Sequence, residues 1–444
     1  MSTSETATGT RGLLDMVAAQ KRGEARGVYS ICSANRFVLE AGMAQAATDG
    51  GAVLIESTSN QVNQLGGYTG TTPEGFVAFV AGLAGKMGLP KGRVVLGGDH
   101  LGPHPWRAES SAVAMERARE MVRQYVRAGF VKIHLDASMR LGDDPAGPPD
   151  EALVAERAAE LAAVAEEARA ERPRGTDAPV YVIGTEVPIP GGETDASTAI
   201  AVTRPEDAER GIELTRAAFR RRGLEAAWER VVAVVVQPGV DFADASVVEY
   251  DRGRAAALKA LAERQERLVY EAHSTDYQTP RALRELVEDH FAILKVGPAL
   301  TFAVREAVFA LAAIEQEWLG GRRGLVLSDV PGALEAAMRA DPSHWRPYYR
   351  GDEDELRFAR RFSFSDRVRY YWPKPDVQAA LERLIQNLTA HPPPLSLVSQ
   401  HLPSQYRAIR EGALGLRPED MIRAKALEVA EVYARACGTR TEGS

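Results

Sequence analysis

Seven short apolar runs in this 444-residue chain each end in polar residues that can do chemistry. The terminal residues are carboxylates, imidazoles, an amide and an amine: Glu56, Asp99, His100, Asp136, Glu186, Gln237, His273 and Lys295. Continuous Val/Ile/Leu runs are typical of strands buried in a parallel sheet. Functional groups at the carboxyl ends of successive parallel strands form the active sites of barrel enzymes, so the pattern indicates an enzyme.

The segment GGDHLGP holds the densest set of these groups, because Asp99 immediately precedes His100. His273 supplies a second imidazole from another strand end, and Glu186 and Gln237 add oxygen donors. Two nitrogen and one or two oxygen ligands, with open positions left over, suit a catalytic divalent metal such as zinc, manganese, cobalt or nickel. A metal site made of these groups is therefore predicted. The alternative is that both histidines are hydrogen-bonded core residues.

Other polar groups have alternative roles. Asp136 suits a general base or a carboxylate that holds a ligand imidazole, and it also suits a helix N-cap. Lys295 could form a Schiff base or contact an anion, although such a lysine is more often the partner of a carboxylate. Lys132 and His134 share a strand face with Asp136, so they would be interior polar groups that need partners. The loop 57–64 (STSNQVNQ) suits recognition of a polyol, or is simply solvated.

The sequence predicts eight βα units that position these groups. A run at Gly27–Cys32 brings the strand candidates to eight, with helical segments between them, such as those opening at Thr72 and Thr203. We expect an α/β fold, a (β/α)₈ TIM barrel over 11–324, preceded by a flexible tail (1–10) and followed by a helical C-terminal extension (325–444). An open doubly wound sheet is the alternative, because a strand count does not prove closure.

Composition narrows the class of protein further. The net charge of −7 is spread without blocks of like charge, so no nucleic-acid or membrane partner is expected. The two cysteines, Cys32 and Cys437, form no disulfide framework, and no run of 18 apolar residues is present. Neither a P-loop nor a G-x-G-x-x-G follows a strand, so nucleotide binding has no motif support. A cytoplasmic protein is expected.

Five segments of the chain resemble the GatZ/KbaZ family, namely 56–64, 97–103, 133–138, 270–278 and 294–300. Members are described as accessory subunits of tagatose-1,6-bisphosphate aldolase, and some carry a tagatose-6-phosphate kinase label. Some relatives are described as metal-dependent epimerases that interconvert fructose and tagatose, or their uronate counterparts, at C4. These segments supply the candidate substrate-binding residues Glu56, Asn60, Gln61, Asn63, His134, Ser274, Asp276 and Lys295.

A more distant similarity is to class II aldolases, which are metal-dependent (β/α)₈ enzymes. Their Asp-His pair resembles Asp99 and His100, which implies an acid/base role for Asp99 and a metal-ligand role for His100. Their histidine in a His-Gly-Ala-Ser segment resembles His273. Their remaining metal histidine falls near Gln237, where this sequence departs from the pattern. Either the metal differs, or Glu186 completes the ligand set.

The resulting hypothesis is a metal-dependent ketohexose 4-epimerase acting on D-tagatose and D-fructose. C4 is not adjacent to the C2 carbonyl, so its proton is not acidic enough for simple enolisation. Retro-aldol cleavage of C3–C4, rotation of the aldehyde and re-addition need a Lewis acid and a base. Asp99, Asp136 and Glu186 are the predicted catalytic residues.

Two alternatives stay open: a non-catalytic subunit that stabilises a separate class II aldolase, and a Schiff-base aldolase using Lys295. Expected partners are a ketose or its phosphate, an aldolase catalytic subunit and further copies of this chain in a homo-oligomer.

Overall fold

Eight parallel strands close into a barrel in the computed structural model of the chain, which describes residues 9–184 and 200–439. The strands in chain order are β1 (Val28–Cys32), β2 (Val53–Thr58), β3 (Val94–Leu101), β4 (Lys132–Leu135), β5 (Val180–Gly184), β6 (Val231–Val235), β7 (Asp241–Phe242), β8 (Val247–Val248), β9 (Val269–Ala272) and β10 (Phe291–Val296). All but β7 and β8, which form a small antiparallel pair, belong to the barrel. Pairing of β1 with β10 closes it, with Val28 opposite Ile293. The predicted (β/α)₈ barrel is confirmed, and the open sheet is wrong.

Helices surround the barrel and fill the C-terminal quarter of the chain. They are α1 (Thr10–Lys21), α2 (Arg36–Asp49), α3 (Pro73–Lys86), α4 (Ser111–Ala128), α5 (Glu151–Ala170), α6 (Pro205–Arg221), α7 (Glu225–Trp228), α8 (Ala256–Arg264), α9 (Pro280–Glu288), α10 (Pro298–Leu319), α11 (Val330–Ala340), α12 (Glu353–Phe362), α13 (Pro375–Ala390), α14 (Leu395–His401), α15 (Pro403–Arg410) and α16 (Pro418–Ala436). Short 3₁₀ turns lie at Lys91–Arg93, His104–Trp106, Pro342–His344 and Arg367–Tyr370. Within the described ranges, no helix combines the length and apolarity needed to cross a membrane.

The starts of these helices follow the capping residues that the sequence offers. Thr72 accepts a hydrogen bond from the Gly75 N–H, and a proline follows it at the first helical position of α3. Asp150 caps α5 by accepting from the first N–H groups of that helix. The helix predicted after Thr203 is α6, which begins at Pro205.

Two apolar layers hold the barrel together. Inside it, Leu54, Val182 and Ile293 pack with α1, whose Leu13 and Met16 are buried against them. The outer layer lies between the strands and the helices and continues without a break into α11–α16. The last helix, α16, packs against α2 and α10. The division of the chain at residue 325 stays a prediction.

Candidate active site

Two lysines and two glutamates form a buried ion network inside the barrel. Lys132 Nζ lies 2.6 Å from Glu56 Oε1 and 2.6 Å from Glu271 Oε2, and Lys295 Nζ lies 2.5 Å from Glu56 Oε2. Gly97 makes room for this network, since a Cβ there would come within 2.6 Å of Glu56 Cγ. Burial alone would lower the pKa of each lysine, but the carboxylates outweigh it and hold the pKa of both above the ordinary value. Both lysines are therefore ammonium ions.

Three imidazoles and a carboxylate converge above this network. Asp99, His100, His134 and His273 each offer a ligand atom, and the four atoms lie within 4.8 Å of one another. The ring centroid of His100 is 4.9 Å from that of His134 and 4.8 Å from that of His273. We refer to these four residues as the imidazole cluster.

A backbone irregularity brings the adjacent residues Asp99 and His100 into one site. Neighbouring side chains of a regular strand point to opposite faces. Here the pairing of β3 with β4 shifts register between Gly98 and Leu101, and His100 adopts a φ of 48°. Ser274, directly after His273, has a φ of 50°. Non-glycine residues rarely adopt this conformation, and such strain concentrates at functional sites.

Each imidazole is oriented by an oxygen acceptor on one ring nitrogen. The contacts are His100 Nδ1 to Asp136 Oδ2 (2.7 Å), His134 Nε2 to the Gly184 carbonyl (3.0 Å) and His273 Nε2 to Glu271 Oε1 (3.0 Å). A proton on that nitrogen places the lone pair of a neutral ring on the other nitrogen. Metal-ligating histidines are held in this way by carboxylates and carbonyls.

The charges of the site fit a divalent cation. Four buried carboxylates (Glu56, Asp99, Asp136 and Glu271) face two ammonium groups, which leaves a formal charge of −2 when the histidines are neutral. Uncompensated buried charge is unfavourable, so the site favours an added positive charge, from a bound cation or from a protonated imidazole. Three imidazole nitrogens and one carboxylate oxygen match the donors that zinc and its neighbours prefer. The residues therefore fit a divalent metal.

In the ion-free protein, His100 supplies part of this missing charge. Burial opposes its protonation, but the carboxylates of Asp99 and Asp136 outweigh burial and raise the pKa of His100 to about 9. Burial lowers the pKa of His273 to about 4, in spite of the neighbouring Glu271. His100 is thus an imidazolium near neutral pH, whereas His273 is neutral.

A cavity of about 220 Å³ opens above the imidazole cluster. Nine of the residues predicted from the sequence line it: Asn60, Gln61, Asp99, His100, Asp136, His273, Ser274, Asp276 and Lys295. Glu56 and His134 are fully buried and lie outside the lining, in the ion network and the imidazole cluster respectively. Glu186 falls outside the described residues, and its role as ligand or catalyst stays a prediction.

Two predicted residues use their side chains elsewhere. The amide oxygen of Gln237 accepts hydrogen bonds from the Gly239 and Val240 N–H groups at 2.7 and 3.0 Å, so in this conformation it has no lone pair to offer a metal. Asn63 makes its bonds within its own loop, accepting from the Leu65 N–H at 2.9 Å. Both act as turn-stabilising side chains, a common use of amides after a strand. His134, predicted to bind substrate, lies beside the other imidazoles, and its Nδ1 accepts a hydrogen bond from the His100 N–H at 3.2 Å.

The cavity is also lined by residues that were not predicted from the sequence. They are Tyr68, His104, Ser138, Met139, Phe242, Tyr348, Arg367, Arg369 and Tyr370. Three of them belong to the aromatic and charged stretch 361–372 of the C-terminal extension. The extension therefore lies at the end of the barrel that holds the candidate site.

The architecture and the site together define the class of protein. A closed (β/α)₈ barrel with functional groups at the carboxyl ends of its strands is the arrangement of barrel enzymes. Within this class, residues 13–438 match the family described as D-tagatose-1,6-bisphosphate aldolase subunit GatZ/KbaZ-like, and the chain belongs to that family.

Comparison with solved structures gives one strong similarity and two weak ones. The crystal structure of a probable tagatose 6 phosphate kinase from Sinorhizobium meliloti 1021 is 45% identical, with a TM-score of 0.84, and the match covers 93% of this chain and 100% of that one. Fructose-bisphosphate aldolase from Campylobacter jejuni is 13% identical, with a TM-score of 0.46, over 86% and 94% of the two chains. The YdjI aldolase from Escherichia coli K12 is 11% identical, with a TM-score of 0.40, over 85% and 95%. The two aldolase similarities are too low to support an inference about the site.

We expect the Lys132→Met variant to be strongly destabilised. It leaves Glu56 and Glu271 buried without their shared cation, and breaking a buried ion pair in this way costs about 3–5 kcal/mol. The free energy of unfolding in urea measures the effect. As a control, Arg210→Met removes an exposed guanidinium with two carboxylate partners and should change stability little. Equal effects of the two substitutions would contradict the role given to the network.

The metal assignment predicts which substitutions remove the ion. We expect one divalent ion per chain, and His134→Ala should abolish stoichiometric binding. Asp136→Asn, which weakens the hold on His100, should lower affinity roughly 10–100-fold. Gln237→Met serves as the control and should retain the ion. Elemental analysis and competition with a chelating dye provide the measurement; loss of the ion in Gln237→Met with retention in His134→Ala would reverse the assignment.

Asp276 is a buried carboxylate on the cavity wall. Its Oδ1 accepts hydrogen bonds from the Gly297 and Ala299 N–H groups at 3.0 and 2.8 Å, at the start of α10. Burial outweighs these bonds and raises the pKa of Asp276 to about 6. The folded protein therefore binds this proton more tightly than the unfolded chain does.

The raised pKa predicts a pH-dependent effect of Asp276→Asn. The preference of the folded state for the protonated carboxyl contributes fully to the free energy of unfolding below about pH 4, near the pKa in the unfolded chain. This contribution is lost as the pH rises through 6, the pKa in the folded protein. Asparagine is neutral throughout and can accept the same N–H bonds. Relative to the wild type, Asp276→Asn should therefore gain stability between pH 4 and 7, by at most about 3 kcal/mol. Urea unfolding of both proteins across this range checks it, and a pH-independent difference would show that Asp276 has an ordinary pKa.

Proposed function

We propose that the protein is a metal-dependent ketohexose 4-epimerase that interconverts D-tagatose and D-fructose by retro-aldol cleavage and re-addition. The observation that carries this proposal is the imidazole cluster beside a cavity, where the carboxylates of Glu56, Asp99, Asp136 and Glu271 outnumber the two lysines by two. A bound divalent ion would supply the Lewis acid that stabilises negative charge on the C2 and C3 oxygens.

The carboxylates of the site differ in pKa, and only one of them suits a general acid/base. Burial favours the neutral acid at Asp99 and Asp136, but Lys295 and His100 respectively outweigh it and hold the pKa of both well below the ordinary value. Such carboxylates are weak bases; Asp136 holds the His100 ring, and Asp99 Oδ1 lies 3.1 Å from His134 Nδ1, where both can serve as ligand atoms. A proton carrier works best with a pKa near the working pH, and among these carboxylates Asp276, with a pKa of about 6, comes closest.

We therefore propose Asp276 as the general base that takes the proton of the C4 hydroxyl. It would take this proton during C3–C4 cleavage and return a proton to the C4 oxygen after the aldehyde has turned over. In this proposal Asp136, predicted from the sequence as catalytic, orients the His100 ring, and Asp99, also predicted as catalytic, offers a ligand oxygen beside the imidazoles. The role of Glu186 stays a prediction.

The state of Lys295 argues against a Schiff-base mechanism. Its Nζ lies 2.5 Å from Glu56 Oε2 and 2.9 Å from Asp99 Oδ1, and its pKa is held well above the ordinary value. A Schiff base needs the neutral amine, whose lone pair attacks the carbonyl carbon. Lys295 is better suited to holding Asp99 in place.

A second candidate function is supported by the family description. A member described as an aldolase subunit could stabilise a separate class II aldolase that holds the catalytic site. The Sinorhizobium structure is described as a probable kinase, but this sequence contains no P-loop motif that would support phosphoryl transfer. The complete set of imidazoles and carboxylates favours chemistry in this chain.

Incubation of the metal-loaded protein with D-tagatose and with D-fructose tests the epimerase. We expect interconversion that EDTA abolishes and a divalent ion restores, read by sugar chromatography. Asp276→Asn should lose roughly 10²–10⁴-fold in kcat while retaining its metal, because it removes a general acid/base. Glu74→Gln, an exposed carboxylate of α3, is the control and should be fully active.

The same experiment separates the two candidate functions. Absence of turnover with metal present, for the free sugars and their 6-phosphates, would overturn the epimerase. Co-purification with a class II aldolase, and a higher aldolase melting temperature in its presence, would then establish the subunit role.

A further inference from the structure

An exposed aromatic surface lies on α12 and the neighbouring α10. Three of the twelve phenylalanines of the chain are exposed, and two of these, Phe358 (52% exposed) and Phe362 (45%), lie one turn apart on α12 with ring centroids 5.6 Å apart. Phe309 of α10, which is partly buried, places its ring centroid 6.3 Å from that of Phe362. We call these three residues the aromatic ridge. An exposed apolar patch, unlike scattered single side chains, marks an interaction surface.

A negative charge lies at the N-terminal end of the aromatic ridge. Asp354 is one turn before Phe358, so both side chains lie on the same face of α12. The Asp354 side chain is 94% exposed, and its one ion contact among the described residues is to Arg357 Nε at 4.0 Å. Exposed ion pairs of this kind contribute little to stability. The carboxylate is therefore available to a cation from outside the chain.

A positive charge lies at the C-terminal end of the same face. Arg361 follows Asp354 by seven residues, or about two helical turns. Its Cζ lies 5.8 Å from the ring centroid of Phe309 and 6.0 Å from that of Phe362. Its Nε is buried without a hydrogen-bond acceptor, and no carboxylate oxygen in the described part of the chain lies within 4.0 Å of its nitrogens. An unpaired guanidinium at a surface favours a carboxylate partner.

The order of these groups along α12 makes the surface complementary to a second copy of itself. Asp354 precedes Phe358 by four residues, and Arg361 follows it by three. If two α12 helices pack antiparallel about a twofold axis at Phe358, each Asp354 lies within about 1.5 Å of the level of the partner's Arg361 along the helix axes. Both ends of the contact then join opposite charges, whereas a parallel pair would join like charges. A second copy of this chain is therefore the occupant that the charges favour.

We propose that α12 and the adjoining surface of α10 form the contact of a twofold-symmetric homodimer, with Phe358 at its centre and Asp354 paired with the partner's Arg361. Aromatic and arginine side chains are enriched in the cores of such interfaces. A stable interface buries about 800 Å² per protomer, more than one face of a ten-residue helix provides, so the contact includes Phe309 of α10. This assembly does not depend on the proposed function.

Sedimentation velocity of the full chain over a range of protein concentrations tests the contact. We expect a reversible dimer whose dissociation constant rises roughly tenfold or more in Asp354→Arg and in Arg361→Glu, because each variant places like charges at both ends of the contact. Phe358→Ala should weaken the dimer similarly, because large side chains at the centre of an interface carry most of the affinity. An equimolar mixture of Asp354→Arg and Arg361→Glu should form a heterodimer of near wild-type affinity, since each copy then meets opposite charge. Recovery in the mixture also shows that both variants fold.

Glu213→Arg is the matched control. Glu213 is an exposed carboxylate of α6 that faces Arg216 Nη1 at 3.9 Å, three residues on, as Asp354 faces Arg357. Its reversal should leave the dissociation constant unchanged. A wild type that stays monomeric, a dimer that none of the three α12 variants weakens, or a mixture that does not recover association would overturn the proposal. A monomer that binds a class II aldolase, and loses this binding in Phe358→Ala, would assign the surface to that partner and likewise overturn the homodimer.

Discussion

The arrangement of the site depends on one buried electrostatic constraint, the sharing of two ammonium groups among the carboxylates inside the barrel. Lys132 bridges Glu56 and Glu271, and Lys295 bridges Glu56 and Asp99. Charges so far from water are tolerated only when each faces a partner. Two carboxylates of this network in turn contact imidazoles, Glu271 that of His273 and Asp99 that of His134. The positions of the imidazoles are therefore set by the packing of the strands beneath them.

This constraint also determines the charges on the cavity lining. The buried carboxylates around the imidazole cluster outnumber the two lysines, whereas Arg367 and Arg369 add positive charge to the cavity lining. Asp276 stands on the cavity wall with a pKa of about 6, set chiefly by burial. It can therefore change its protonation state near neutral pH, which carboxylates held by lysine or imidazolium cannot do.

Much of the site could be predicted from the positions of polar residues at the ends of the apolar runs. Parallel strands end at one rim of a barrel, so the residues that close the apolar runs had to meet, and Asp99, His100, His273 and Lys295 do. The shared face of Lys132 and His134 likewise required buried partners, and each has them. Other features depend on contacts that spacing cannot reveal. The irregular end of β3 turns His100 into the site, and backbone N–H groups compete for the amide of Gln237. Arg367 and Arg369 reach the cavity because Asp366 is anchored on α10, a contact more than 60 residues apart in sequence.

The same physics bears on whether this chain acts as an enzyme or as a supporting subunit. Replacing a buried ion network with apolar side chains of similar volume is often neutral or stabilising. A protein whose role was only to stabilise a partner would therefore gain nothing in stability from four carboxylates, two lysines and three imidazoles inside its barrel. Nor would it need non-glycine residues in the unfavourable left-handed conformation at His100 and Ser274, in and next to the imidazole cluster. Both features are consistent with the proposed chemistry in this cavity, and membership in a subunit family is compatible with such a chain.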